Sequence, residues 1–277
     1  MSHGCETLST PDGLRLHLHR WLPKGNPKAV VIIVHGFCEH GGRYGRMAVD
    51  LYQHDYAVYA ADLRGHGRSL GQRAWVRRFD EYLDDLQLVF EHVAHKYPQL
   101  PLFLFGHSMG GAIATLYCLE RKPLPCGLIL SGPALLIAAD VFPWLRRLAA
   151  LGSALCPRLR IARMGCRYLS RDEQVVEAFK NDPFVFHERF PIRTGNEVLR
   201  AAKRIESLMP RLTLPLLILH GTGDRVADPQ GSRRLHDEAA STDKTLQLYE
   251  GLYHEVLSEP EREQVLGDLL AWLDARS

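Results

Sequence analysis

The amino-acid sequence predicts an α/β fold, in which a mostly parallel central sheet is flanked by helices and carries an inserted helical cap. Short apolar runs alternate with longer segments of helical periodicity, which is typical of strands joined by crossover helices. Most of these runs are continuous, as expected for strands that are buried on both faces. The alternation stops between residues 133 and 210. We therefore expect a core formed by residues 1–132 and 211–277 and a cap formed by residues 133–210.

The predicted strands are short segments that end at turn-forming residues. The first has alternating apolar and polar character, and most of the later ones are apolar runs too short for a helix. In chain order the predicted strands are Leu14–Trp21, Ala29–Val34, Ala57–Ala61, Leu102–Phe105, Gly127–Leu130, Leu216–Leu219 and Thr245–Tyr249.

Three longer segments between and after these strands have helical periodicity. In Asp80–Tyr97 the apolar residues recur at three- and four-residue spacing, and Pro98 follows as a stop. Met109–Arg121 and Glu261–Ala275 show the same pattern. We expect such helices to cover the sheet.

The segment from 133 to 210 contains no strand-like run, only helical patterns interrupted by prolines and glycines. A structureless loop of this length is implausible in a compact domain. We therefore expect a helical cap over the carboxyl ends of the strands, where open α/β folds bind their ligands.

The composition of the 277 residues limits the classes of protein to consider. With 46% apolar and 24% charged residues the chain is ordinary globular material, and its net charge of +2 gives no reason to expect a nucleic-acid partner. Its apolar runs fall far short of the ~20 residues of a membrane span. The N-terminus lacks the features of a secretory signal, and the six cysteines form no C-x-x-C pair. We expect a reduced, cytoplasmic protein with free thiols.

The strongest chemical signal is the G-x-S-x-G motif at 106–110, which lies between an apolar strand and a helical pattern. A sharp strand-to-helix turn strains the serine backbone and presses it against neighbouring backbone, which requires Gly106 and Gly110 on either side. The serine oxygen then projects at a helix N-terminus, whose dipole favours developing negative charge. We predict that Ser108 is a catalytic nucleophile rather than part of a structural turn.

A serine nucleophile needs a histidine base that a carboxylate holds in one tautomer, and in this fold the acid and then the base follow the serine in the chain. Asp224 lies in a glycine-rich turn after a predicted strand, and His254 lies in the loop after the next one. Asp228 is the competing acid, but an aspartate before Pro229 more often caps a helix. We predict Asp224 as the acid and His254 as the base.

An oxyanion hole requires two backbone N–H groups aimed at the developing negative oxygen. One comes from the residue after the nucleophile, here Met109, and the other from the loop after an earlier strand. The loop at 34–37 meets this description, and Gly36 permits its tight backbone. We predict that Phe37 and Met109 donate the two bonds.

Competing motifs are weak. There is no phosphate-binding glycine loop and no second histidine that would complete a zinc-protease helix at His254. His35, Cys38, Glu39 and His40 resemble a metal cluster, but they lie in one short segment with no partner set elsewhere. The sequence therefore indicates no metal site and no cofactor.

Three motifs carry a resemblance to a known family. The most specific is H-G-x-x-E-H-x-x-R-Y at 35–44, whereas the motifs at 62–69 and 106–111 occur across many α/β-hydrolases. From about Leu14 to the C-terminus the chain resembles the serine α/β-hydrolases of the monoacylglycerol lipase and bacterial lysophospholipase group. The resemblance places Asp224 and His254 at the family's acid and base. It implies the α/β-hydrolase fold, a mobile helical cap, no cofactor and single-chain lipid esters as substrates.

Part of the cap has a basic amphipathic pattern. Apolar residues recur at helical spacing from Val141 to Leu155, and Trp144, Arg146 and Arg147 accompany them. Such a helix could rest on an anionic membrane or contact a phosphorylated head group. It could equally pack its apolar face on the core, with its arginines in solvent.

The resulting hypothesis is a serine hydrolase that cleaves monoacylglycerol to fatty acid and glycerol through an acyl-enzyme. Lysophospholipase, general carboxylesterase and thioesterase activities are the alternatives within the same chemistry. Outside it, the chain could be a ligand receptor on a hydrolase scaffold, or a membrane-docking module that uses only the cap.

Overall fold

The structure, a computed structural model, describes residues 2–136 and 152–277. In this part of the chain, eight strands form a sheet with the order β1-β2-β4-β3-β5-β6-β9-β10, and β7 and β8 form a separate pair. The strands are β1 (Ser2–Ser9), β2 (Arg15–Leu22), β3 (Ala29–Val34), β4 (Tyr56–Ala61), β5 (Leu102–His107), β6 (Gly127–Ser131), β7 (Arg160–Ala162), β8 (Phe190–Pro191), β9 (Leu216–Gly221) and β10 (Lys244–Tyr249).

The large sheet is mostly parallel, as predicted. Only β2 runs in the direction opposite to the other strands of this sheet. It pairs antiparallel with β1 and with β4, whereas β4, β3, β5, β6, β9 and β10 pair in parallel. All seven predicted strands are present. β1 was not predicted, because its eight residues are mostly polar and lie at the edge of the sheet.

The described helices surround this sheet. They are α1 (Gly45–Gln53), α2 (Asp80–Lys96), α3 (Met109–Glu120), α4 (Glu173–Asn181), α5 (Ile192–Leu208), α6 (Pro229–Glu238) and α7 (Arg262–Asp274). Short 3-10 turns occupy Gly41–Tyr44, Met209–Arg211 and Val256–Ser258. The three helices predicted from periodicity are α2, α3 and α7, each within a residue or two of the expected bounds.

Two apolar layers cover the two faces of the sheet. Side chains alternate along β3, so Val30, Ile32 and Val34 pack against α2 and α3, while the intervening residues pack against α1 and α7. Every residue of β3 is buried. This double burial explains the continuous apolar runs in the sequence and fixes the carboxyl edge of the sheet as a rigid platform.

The segment 152–210 contains α4, α5 and the antiparallel pair β7–β8. The expectation that no strand occurs between 133 and 210 was therefore wrong, because strands of three and two residues are too short to give a periodic signal. Val198, Ala201 and Ile205 of α5 belong to the main apolar core. The boundaries of the cap stay a prediction.

The basic amphipathic pattern with Trp144, Arg146 and Arg147 lies outside the described residues. Its contact with a membrane or a head group stays a prediction. Within the described ranges, no helix is both long enough and apolar enough to cross a bilayer.

Candidate active site

Ser108 forms a sharp turn between β5 and α3. Its backbone has φ 53° and ψ −119°, an unusual conformation for a residue with a side chain. The turn is possible because the flanking glycines have no side chain: a Cβ on Gly106 would lie 2.6 Å from the Gly110 carbonyl oxygen, and one on Gly110 would lie 2.0 Å from that of Val34. The geometry predicted for the G-x-S-x-G motif is present.

Asp224 and His254 lie beside this turn, at the carboxyl edge of the sheet. Asp224 follows β9 and His254 follows β10, so the parallel pairing of these strands brings the two loops together. Nδ1 of His254 lies 2.7 Å from Oδ2 of Asp224, and both side chains are buried. A carboxylate at this position fixes the tautomer with the proton on Nδ1 and leaves Nε2 as an acceptor.

Besides His254, three donors surround the Asp224 carboxylate. Oδ1 accepts hydrogen bonds from the backbone N–H groups of Val226, at 2.7 Å, and Ala227, at 3.0 Å. Oδ2 lies 3.0 Å from Nε2 of His220, whose Nδ1 is 2.7 Å from the Ser232 hydroxyl. This contact of His220 was not predicted, because only backbone hydrogen bonds were expected for this residue.

Asp228, the competing acid, has a different role. Its Oδ1 accepts a hydrogen bond from the backbone N–H of Gln230 at 2.9 Å, and Pro229 is the first residue of α6. Asp228 is therefore the N-cap of α6. Asp224 is the aspartate that contacts His254.

The charges of the pair support each other. Burial alone would raise the pKa of Asp224, but the charge of His254 and hydrogen bonds from His220 and His254 hold it well below its usual range. Burial also opposes charge on His254, but the nearby Asp224 carboxylate raises the pKa of His254 above its ordinary value of 6.5. Each group thus favours the charged form of the other more than burial alone would allow.

His254 and Ser108 are neighbours across the end of β6. The backbone N–H of Ser108 donates to the Ser131 carbonyl at 3.1 Å. A Cβ added to Gly132, the residue after Ser131, would lie 3.1 Å from Nδ1 of His254. Within the described residues, Nε2 of His254 is buried without a hydrogen-bond partner, so no such bond joins it to Ser108 Oγ. Catalytic hydrogen bonds often tighten only when substrate binds.

The loop after β3 lies against the serine. A Cβ on Gly36 would be 3.2 Å from Cβ of Ser108, and the Phe37 side chain lines the same small pocket as Ser108 and Met109. Among the residues that the structure describes, neither the Phe37 nor the Met109 amide donates to another protein group. Both N–H groups are therefore free to bind an oxyanion.

Glu39 holds this loop in place. Its Oε1 accepts hydrogen bonds from the Gly36 amide at 2.6 Å and the Tyr44 hydroxyl at 2.8 Å, and Oε2 lies 2.5 Å from Arg43. Burial would raise the pKa of Glu39, but the Arg43 charge outweighs it together with the nearby His107, His35 and Tyr44, and this pKa is lowered to about 2. Arg43 also forms two bonds, of 2.9 and 3.1 Å, with Glu255, the residue after His254. The acid, arginine and tyrosine of the 35–44 motif thus connect the two loops.

Two cavities flank the site. A small apolar pocket of about 50 Å³ borders Ser108. A larger cavity of about 320 Å³ is lined in part by His107, Glu39, Arg43 and Glu255. The small pocket is lined by Phe37, Ser108, Met109, Ala134, Met164, Phe190, Gly195, Val198, Leu199, Val226 and Ala227.

A family model described as serine aminopeptidase, S33, matches residues 25–261. The chain belongs to this family. The monoacylglycerol lipase of Mycolicibacterium smegmatis is 37% identical over 261 residues, which cover 94% of this chain and 93% of that protein. The monoglyceride lipase of Rattus norvegicus is 39% identical over 272 residues, which cover 97% and 90%. The crystal structure of Paleococcus ferrophilus monoacylglycerol lipase matches the whole of both chains with a TM-score of 0.84 and 30% identity.

These similarities confirm the α/β-hydrolase fold and the family resemblance predicted from the three motifs. The chain is a serine hydrolase of the S33 family and is similar to monoacylglycerol lipases.

In this S33 hydrolase the segment after β7 contacts the loop of the histidine. The backbone N–H of His254 donates to the Tyr168 carbonyl at 3.3 Å, and that of Glu255 donates to the Leu169 carbonyl at 2.7 Å. On the other side, Nε2 of His40 lies 2.9 Å from Oδ2 of Asp182, just after α4. Residues between 160 and 190 therefore contact both loops that flank Ser108.

Proposed function

We propose that this chain hydrolyses monoacylglycerols with a triad of Ser108, His254 and Asp224. The 2.7 Å contact between His254 Nδ1 and Asp224 Oδ2, next to a strained serine turn, is the observation that carries this proposal. The names of the similar proteins from Mycolicibacterium smegmatis and Rattus norvegicus support the substrate class.

The reaction begins at the substrate carbonyl. Ser108 Oγ attacks the carbonyl carbon while its proton passes to Nε2 of His254, and the electron pair of the C=O bond moves onto the oxygen. The amides of Phe37 and Met109 donate to this oxyanion. Asp224 stays ionised and stabilises the imidazolium.

Collapse of the tetrahedral intermediate breaks the bond to the leaving alcohol. His254 gives its proton to the departing oxygen, so glycerol leaves neutral and the acyl group stays as an ester on Ser108. A water molecule then loses its proton to His254 and attacks the ester. The second collapse returns the proton to Ser108 and releases the fatty acid.

The surroundings of Ser108 fit an ester with one apolar part. The pocket that borders the serine is lined by apolar groups such as Phe37, Met109 and Phe190, which suit the start of an acyl chain.

The decisive experiment compares fatty-acid release from 1-monooleoylglycerol and lysophosphatidylcholine, with Ser108→Ala as the blank. We expect the glyceride to be preferred and the variant to lose several orders of magnitude in kcat without a change in melting temperature. Preference for the lysophospholipid would establish a lysophospholipase with the same triad. Near-normal activity of Ser108→Ala would exclude the mechanism.

A fluorophosphonate probe separates hydrolase chemistry from substrate choice. An activated Ser108 should be labelled covalently in the wild type, whereas Ser108→Ala should not be labelled. Labelling without cleavage of either lipid would keep the nucleophile but reject lipid esters as substrates.

A further inference from the structure

A second group of chemically active side chains lies near the β1 edge of the sheet, apart from the proposed triad. Successive side chains of a strand point to opposite faces, so His17 and His19 of β2 lie on the same face. Directly opposite them on β1 are Thr7 and Cys5. Asp62, just after β4, joins this group because its backbone N–H donates to the His17 carbonyl at 2.8 Å.

Three ligand atoms converge there. The rings of His17 and His19 meet edge to face with centroids 4.5 Å apart, and Nε2 of His19 lies 3.3 Å from Oδ1 of Asp62. One ring nitrogen of each histidine and one Asp62 oxygen all lie within 4.8 Å of one another. Ligand atoms around a tetrahedral zinc ion are separated by about 3.4 Å, given bonds of about 2.0–2.1 Å. The His19–Asp62 distance already meets this value, and the ring nitrogen of His17 lies within 4.8 Å of both atoms.

Two of these atoms have no other partner. Within the described ranges, Nε2 of His17 is buried and makes no hydrogen bond, and the one polar contact of Nε2 of His19 is the 3.3 Å approach to Asp62 Oδ1. His19 was expected at the surface, yet only 6% of it is exposed. A buried ring nitrogen without a partner is destabilising, and a metal ion bound by His17 together with His19 and Asp62 would satisfy it.

We propose that His17, His19 and Asp62 bind a divalent transition-metal ion, Zn²⁺ by preference, with solvent as the remaining ligand. Two imidazoles and a carboxylate are a donor set that Zn²⁺ accepts. The proposal does not depend on the hydrolase mechanism, because none of the three side chains belongs to the triad or the oxyanion loop.

The surroundings prepare the ligands for a cation. Oδ1 of Asp62 accepts a hydrogen bond from the Gly41 amide at 2.8 Å, and Oδ2 accepts one from the Arg68 amide at 2.7 Å. These two bonds fix the orientation of the carboxylate.

An alternative set shares His19 but lies on its other side. His3 and Cys5 each bring an atom close to His19, and Cys5 Sγ is 3.9 Å from its Nδ1. Both residues are exposed, and neither brings an unpartnered buried atom to the ion. The set with His17 and Asp62 is therefore the stronger candidate, because it includes the buried and unpartnered Nε2 of His17.

The candidate cluster at 35–40 has its ligand atoms engaged. Nδ1 of His35 contacts the Gly36 carbonyl, its Nε2 accepts the Leu63 amide, and Glu39 is paired with Arg43. The histidines of β2 are therefore the stronger candidates.

The test is a cobalt titration of the full-length protein after chelator treatment, because Co²⁺ reports the geometry of zinc sites in the visible spectrum. We expect one equivalent to produce d–d bands without a thiolate charge-transfer band, and Zn²⁺ to remove them. His17→Gln should weaken Co²⁺ binding by about 100-fold or more. Cys5→Ser and His95→Gln, which changes an exposed histidine of α2, should bind like the wild type.

Other outcomes overturn the assignment. Absence of saturable bands in the wild type, or bands that persist in His17→Gln, would remove the site. A thiolate band that disappears in Cys5→Ser would place the ion on the other side of His19.

Circular dichroism shows whether His17→Gln is folded. If it is not, X-ray absorption of the zinc-loaded wild type decides, since a sulfur ligand contradicts the proposal and nitrogen and oxygen ligands alone support it.

Discussion

Oδ2 of Asp224 faces two imidazoles, Nδ1 of His254 at 2.7 Å and Nε2 of His220 at 3.0 Å. Nε2 of His220 also lies 3.2 Å from the Ala227 carbonyl, so it faces two acceptors and carries the proton. Nε2 of His220 thus donates to the carboxylate, and its Nδ1 lies 2.7 Å from the Ser232 hydroxyl. His220 is a positioning residue for the acid of the proposed triad.

Replacement of Asp224 by Asn should lower kcat by about 10⁴-fold, because an amide no longer holds the required tautomer of His254. Steady-state hydrolysis of a water-soluble ester would measure this effect. Asp228→Asn is the matched control and should affect only the start of α6. Equal losses in the two variants would contradict the assignment of Asp224.

Replacement of His220 by Gln should lower kcat by about tenfold, the effect of one weakened hydrogen bond of about 1–1.5 kcal/mol. KM should change little, since His220 does not line the pocket at Ser108. A lower kcat with an unchanged KM would identify His220 as a positioning residue. A loss confined to melting temperature would instead show a structural role.

The pH profile of kcat/KM should reflect the environment of His254. Its neutral form is the base, so activity falls as the pH drops through its folded-state pKa. The Asp224 carboxylate raises that pKa, which predicts an acid limb with its midpoint above 6.5. In Asp224→Asn the midpoint should be lower, because burial then lowers the pKa of His254 without the opposing Asp224 charge. A wild-type midpoint at or below 6.5 would be inconsistent with the charge pairing described.

Replacement of Glu39 by Gln should reduce both stability and activity. The change leaves Arg43 with one fewer buried partner and weakens the bond to the Gly36 amide, with an expected loss of about 3 kcal/mol. Because Phe37 follows Gly36, kcat should also fall. Chemical unfolding and kinetics measure the two effects, with exposed Glu250→Gln as the control. Unchanged kcat would separate the Glu39 network from the oxyanion loop.

Replacement of Gly110 by Ala should abolish folding or strongly destabilise the protein. The added Cβ would lie 2.0 Å from a backbone oxygen of β3, a rigid strand that cannot move away. Gly165→Ala should be tolerated, because a Cβ there meets nothing within 4 Å. Soluble yield and melting temperature of the two variants provide the comparison, and a well-folded Gly110→Ala would contradict the close packing at the elbow.

The sequence predicted the large elements well, because buried parallel strands and amphipathic helices leave strong periodic signals. β1 escaped detection because its register with β2, rather than an apolar pattern, makes it a strand. β7 and β8 are defined by pairing between residues about thirty positions apart. Such pairings depend on tertiary structure, which local patterns do not contain.

The candidate active site was likewise predictable only where local sequence patterns or chain order carry the information. Ser108 carries a local motif, and the chain order and flanking strands indicated Asp224 and His254. The roles of His220 and Arg43 were not accessible, since they depend on which loops meet at the sheet edge. Burial of His19 was missed because an alternating strand looks half exposed until its neighbours cover it.

The two backbone bonds from His254 and Glu255 to the segment at 168–169 have a mechanical consequence. They anchor the peptide of the imidazole on the side away from β10, so the ring is held from both ends of its loop. A substitution that displaces residues 168–169 would therefore disturb the proton carrier without touching any group of the proposed triad.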